Sequence, residues 1–224
     1  MELPIYQENL RSSGDWRTGL PTVRENWAKV QSEAITRVRA MQAQYGANEA
    51  AETNLLAAAQ QISKWAGTPG AFLDVPRLLE LNRALANHES LFREREAIPI
   101  NGAHDPPLAR MVPRLLDNAF GWFASEGFAE MNAVEQAALV HLRLLDLQPF
   151  AAANLTTATL AASFYLERAG LPPLLFDPHE TRYAAALESA FRLLTQHLVD
   201  YFAASLTQTS SHLQAPIPNL QAPI

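Results

Sequence analysis

Cysteine is absent from this chain. That excludes disulfides, thiolate metal sites and a cysteine nucleophile. Lysine is almost missing too, with Lys29 and Lys64 the only two. The formal net charge is −6, which argues against a nucleic-acid partner, because neutralising phosphates takes a basic surface. No stretch approaches the roughly 18 consecutive apolar residues of a membrane-spanning helix. Residues 1–5 show neither the basic start nor the apolar run of a secretory leader. The default expectation is a cytoplasmic protein with no membrane partner. A Gly-rich phosphate loop, a nucleophile elbow and a His-Glu-x-x-His pair are all lacking. His88, His179, His197 and His212 share no ligand spacing, and no metal site is expected.

What is present is helical pattern. Apolar residues make up 48% of 224 residues and charged residues 18%, enough for one domain with a sizeable core. Val23, Trp27, Val30, Ala34, Val38, Met41 and Tyr45 recur at spacings of three and four, one face of a helix that the pattern starts at Pro21-Thr22. Further helices are expected from about 48 to 65, from an Asp74 N-cap to about 87, over 108–123, over 132–147, from 154 or 156 to 169, and in one piece over 178–206. The only strand-like stretch is 97–104, where Asn101-Gly102 signals a hairpin turn. The fold class is therefore all-α with one short β-hairpin. Residues 1–21 read as an N-terminal arm, 22–70 as a helical extension packing on a core at 71–206, and 207–224 as a flexible proline-containing tail. The tail repeats Leu-Gln-Ala-Pro-Ile.

Two apolar helical runs are joined by Gln148-Pro149-Phe150-Ala151-Ala152-Ala153-Asn154-Leu155-Thr156-Thr157-Ala158-Thr159. This loop resembles the signature of the Fic family, His-Pro-Phe-x-(Asp/Glu)-Gly-Asn-Gly-Arg-x-x-Arg. Pro149, Phe150 and Asn154 match it. The likeness extends over roughly 72–176, through Asp74 to Asn82, a flap-like segment at 93–102, a proline-led helix carrying Trp122, and His141 seven residues ahead of the loop. It implies a helical domain with a hairpin flap beside the site. It also implies an ancestry among enzymes that move AMP from ATP onto protein hydroxyls.

The positions that carry that chemistry differ here. Gln148 stands in the place of the histidine base, and a carboxamide does not accept a proton near neutral pH. Ala152 occupies the acidic, Mg²⁺-holding position, and a methyl group offers a hard cation no oxygen. Thr156 and Thr159 replace the two phosphate-clamping arginines. Ala153 and Leu155 replace glycines that let backbone amides approach a phosphate. Losing one electrostatic catalytic group typically costs about 2.7–4 kcal/mol of barrier. The resemblance therefore points to a binding or regulatory module without adenylyltransferase chemistry. ATP and Mg²⁺ belong only to the alternative of a divergent transferase, and a self-associating helical domain, for example a homodimer, is the third reading.

Each candidate has a plain structural counterpart. Asn154, Thr156 and Thr157 could hold a nucleotide or anion at a helix start, or simply cap that helix. Ile98, Ile100, Asn101, Gly102 and His104 could align a protein segment as an added strand, or merely cover the loop. His141 lies on an apolar face and reads as a core histidine. Asp105 reads as a turn cap, and Arg93, Arg95 and Arg110 as solvated surface.

Overall fold

Hydrophobic periodicity becomes nine α-helices among the described residues of a computed structural model, which are 16–46, 50–86, 91–99 and 104–214. They are α1 (Trp16–Gly46), α2 (Glu52–Ala66), α3 (Val75–Ala86), α4 (Val112–Phe123), α5 (Glu126–Ala129), α6 (Ala133–Leu147), α7 (Asn154–Arg168), α8 (Thr181–Phe191) and α9 (Gln196–Gln214). A short 3₁₀ turn, Ala109–Met111, precedes α4. No strand occurs among the described residues, which carry an isolated antiparallel bridge between Phe92 and Phe150. The expected hairpin turn at 100–103 lies outside them, as do the final residues of the tail, 215–224.

The central pair is α6 and α7, which pack along each other. Nearly every residue of α6 is buried, including Val134, Leu139, His141 and Leu145. Such a helix can exist only with neighbours on every side. α7 adds Leu160, Phe164 and Leu166 to the same core. Around this pair sit α2, α3, α4, α8 and α9, while α1 packs against α2 and α9. Arg39 of α1, almost fully buried, donates to Glu167 of α7 at 2.7 Å and to Ser63 of α2 at 2.5 Å. One guanidinium thus joins three helices, and burial strengthens each of these charge-assisted bonds.

Three boundaries differ from the sequence pattern. α1 begins at Trp16 with Pro21 inside it. Proline removes a helix N–H, which makes it look like a start, but Trp16 and Leu20 pack on the core and hold the extra turn. The single helix expected over 178–206 is two, because Leu193 takes a left-handed φ of 70°. There the Leu194 N–H donates to the Ser189 carbonyl at 3.0 Å, a helix stop that usually carries glycine. With leucine at that position, the apolar spacing runs straight through the break. Finally, 207–214 is the last part of α9 rather than tail. Asp74 does cap α3, accepting from the Arg77 N–H at 2.9 Å.

Candidate functional site

The loop joining α6 to α7 is shaped by two left-handed residues, Gln148 (φ 40°) and Ala153 (φ 57°). Gln148 ends α6, its N–H donating to the Leu144 carbonyl. Ala153 is the N-cap of α7 and supplies no side-chain cap. Pro149 and Phe150 are buried, whereas Ala151 and Ala152 are exposed.

Asn154 points at the loop's own backbone. Asn154 Oδ1 accepts from the Phe150 N–H at 3.0 Å, and its Nδ2 donates to the Phe150 carbonyl at 2.8 Å. Asn154 thus ties the loop across its base. Thr157 is buried and its hydroxyl accepts from Asn82 Nδ2 at 3.0 Å. Thr156 is buried as well. Thr159 donates to the Leu155 carbonyl at 2.9 Å, a bond within the helix. Of the three anion-site candidates, the structure brings Asn154 alone to a partly exposed position.

Three supports were not foreseen. Asn82 of α3 donates to the Ala152 carbonyl as well as to Thr157, each at 3.0 Å. Its position on the face of Leu78, Leu81 and Leu85 was the available signal, since a polar residue in an apolar stripe needs a partner. Arg93 is 5% exposed, not a solvated surface residue. It donates to the Gln148 carbonyl at 2.7 Å and to the Pro107 carbonyl, while its own N–H reaches the Pro149 carbonyl at 2.9 Å. A cation here also complements the negative end of the α6 dipole. No local pattern marks it. His104, likewise, pairs with Asp146 at 2.8 Å and stacks on Phe191 with ring centroids 4.3 Å apart. Asp146 also binds Arg143.

The stretch 91–99 thereby lies beside the loop without strand structure. Gln148 donates from Nε2 to the Ile98 carbonyl at 3.1 Å, and the Ile98 side chain is 83% exposed. Ile100, Asn101 and Gly102 fall outside the described residues.

His141 is fully buried and its Nε2 lies 2.8 Å from the Tyr183 hydroxyl. Burial pushes its pKa down to about 3, with the Ala158 backbone pulling the other way. Its Nδ1 has no well-aligned hydrogen-bond partner. A neutral ring at this depth shares a hydrogen bond with the Tyr183 hydroxyl and belongs to the core, as its apolar face indicates.

Two clefts meet at the loop. One, about 690 Å³, lies between 91–98 and the loop. The other, about 320 Å³, lies between the loop and α8. Gln148, Ala151 and Asn154 border both. A divalent cation does not fit the residues at this loop. Ala152 offers only its backbone oxygen, which already accepts from Asn82. Among the described residues no group of three or more His, Asp or Glu could hold a metal ion. No helix there is long and apolar enough to cross a membrane.

An all-helical domain whose two central helices are joined by a loop lying under an extended segment defines the class: the helical fold of Fic proteins. Residues 72–166 match the Fic/DOC family and form a Fic/DOC domain. The chain is 28% identical over 162 residues to the protein adenylyltransferase Fic of Culex quinquefasciatus, covering 66% of this chain and 32% of that protein. It is 31% identical over 113 residues to the Drosophila ananassae protein of the same name, covering 48% and 22%. The chain therefore spans about a third or less of the length of these curated relatives. Among solved structures, a Fic-domain signaling protein from Bacteroides thetaiotaomicron superposes with a TM-score of 0.66 at 18% identity, covering 72% of this chain and 70% of that one. Fic-1 from C. elegans superposes at 0.65 and 14% identity, covering 93% and 69%. IbpAFic2, solved covalently tethered to Cdc42, gives 0.56 at 18%, covering 91% and 67%. These likenesses carry the fold.

Proposed function

We propose that this domain keeps the Fic scaffold, has given up AMP transfer by the family's route, and serves as a binding or regulatory module that faces another protein. One observation supports this above the others: the polar groups left in the loop are used to hold its shape. Gln148 fastens the Ile98 carbonyl, Asn154 fastens Phe150, Thr157 meets Asn82, and Thr159 bonds its own helix. Ala152 presents a methyl group. A proton acceptor, a metal ligand and a phosphate clamp are each needed for the transfer, and none of these side chains is suited to such work.

Support for a protein partner comes from the tethering of IbpAFic2 to Cdc42, and from the exposed Leu91 and Ile98 side chains beside the larger cleft. Such a segment offers backbone edges and apolar side chains to an extended peptide. The test is an AMP-transfer assay with ATP and Mg²⁺ on whole-cell protein, read by mass shift. The expected result is no modification above the level without the protein. Transfer that disappears when 148–159 is altered would sink the reading in favour of a divergent transferase.

A further inference from the structure

Helix α1 is fastened in two different ways along its length. Its early turns are anchored by apolar side chains. Trp16, Leu20 and Val23 pack on the main core, and Trp27 is buried in a smaller cluster with Ala34 and Val38. Among the described side chains from Ala34 to Gln42, only those two are both buried and apolar, and Met41 is 37% exposed. Polar contacts take over there. Arg39 donates to Gln42 Oε1 at 2.6 Å, to Ser63 Oγ of α2 at 2.5 Å and to Glu167 Oε1 of α7 at 2.7 Å. Ser63 donates to the other Glu167 oxygen at 2.6 Å. Gln42 donates from Nε2 to the Leu174 carbonyl, also at 2.6 Å. Arg39 Nε has no hydrogen-bond partner among the described residues.

Each of these bonds is short, but Arg39 and Glu167 give up water to form them. For a nearly buried ion pair that loss offsets most of the attraction. When the helices separate, both charges, Gln42 and Ser63 regain water together. Apolar side chains in the same place gain nothing by separating. A polar fastening therefore lets go more easily than an apolar one of the same area. We propose that residues 34–46 form a releasable strap, latched by Arg39 on Ser63 and Glu167, which comes away from α2 and α7 while 16–27 stay docked. The strap lies outside the residues that match the Fic/DOC family, and it is independent of what the loop between α6 and α7 does.

Native-state hydrogen exchange of the full chain, read by mass spectrometry at rising urea, tests this. Amides of 34–46 are expected to open about tenfold or more readily than those of 18–27, in a step that grows with urea because it exposes surface. Fraying of a helix end exposes little and does not respond to urea. Arg39→Met alone leaves the Glu167 charge without its cation and is expected to speed the opening of 34–46 by a further factor of about ten. Arg39→Met combined with Glu167→Met replaces the latch with apolar contact and is expected to slow that opening to the parent rate or below. If the single variant is poorly folded, the parent and the combined variant decide. The proposal is overturned by equal protection along α1, by exchange of 34–46 that ignores urea, or by a combined variant that opens faster than the parent.

Discussion

The two central helices begin in opposite ways. α6 starts with a complete capping box: Asn132 accepts from the Val134 N–H at 3.0 Å, and Glu135 accepts from the Asn132 N–H at 2.9 Å. α7 starts at Ala153, in a left-handed conformation and without any side-chain cap. One start satisfies its own backbone. The other is held from outside, by Asn154 across the loop, Asn82 from α3 and Arg93 from the segment before the 3₁₀ turn. A helix end that stability alone had shaped would look like α6. The α7 start keeps a left-handed alanine with no side-chain cap of its own.

The contrast can be broken most forcefully at Arg93. Arg93→Ala leaves the Gln148 and Pro107 carbonyls without their donor. We expect a loss of about 3–5 kcal/mol in urea unfolding, with faster hydrogen exchange at 147–150. The pH dependence comes next. The folded state holds His141 at about 3, while the unfolded chain titrates near 6.5. Its contribution is therefore complete above 6.5 and is lost as pH falls toward 3, at a slope of up to roughly 1.4 kcal/mol per pH unit. Urea midpoints at pH 7 and pH 4.5 check this, and His141→Gln should flatten the difference. Asn154→Ala should cost about 2 kcal/mol, the sum of two backbone bonds. Asn132→Ala, which removes a true cap, should cost about 1 kcal/mol. Equal losses at the two asparagines would mean that Asn154 is an ordinary cap. The smallest effect has the opposite sign. Ala153→Gly relieves a left-handed alanine and should raise stability by up to about 1 kcal/mol in thermal melts.

Much of this organisation is readable in local pattern. The α3 cap at Asp74, the buried character of α6 and the resemblance of the loop all follow from short stretches of residues. The misplaced boundaries share one cause. Pro21 sits in a turn that Trp16 and Leu20 anchor on the core, and Leu193 turns left-handed without being a glycine; periodicity contains no term for either. The same holds at the loop. Asn154, Thr156 and Thr157 were expected as caps because their types favour that role, yet the distances to Phe150 and Asn82 decide where two of their side chains go.

By itself the sequence determined the helical class, the family likeness and the chemistry that the loop lacks, because residue type decides whether a group can carry a proton, a metal or a phosphate. Only the tertiary structure decided what the remaining polar groups do. Arg93 and Asn82 are distant in sequence from the loop and converge on it only when α3, α6 and α7 pack. Their hydrogen bonds are set by burial and geometry at a few ångströms, which no spacing along the chain encodes.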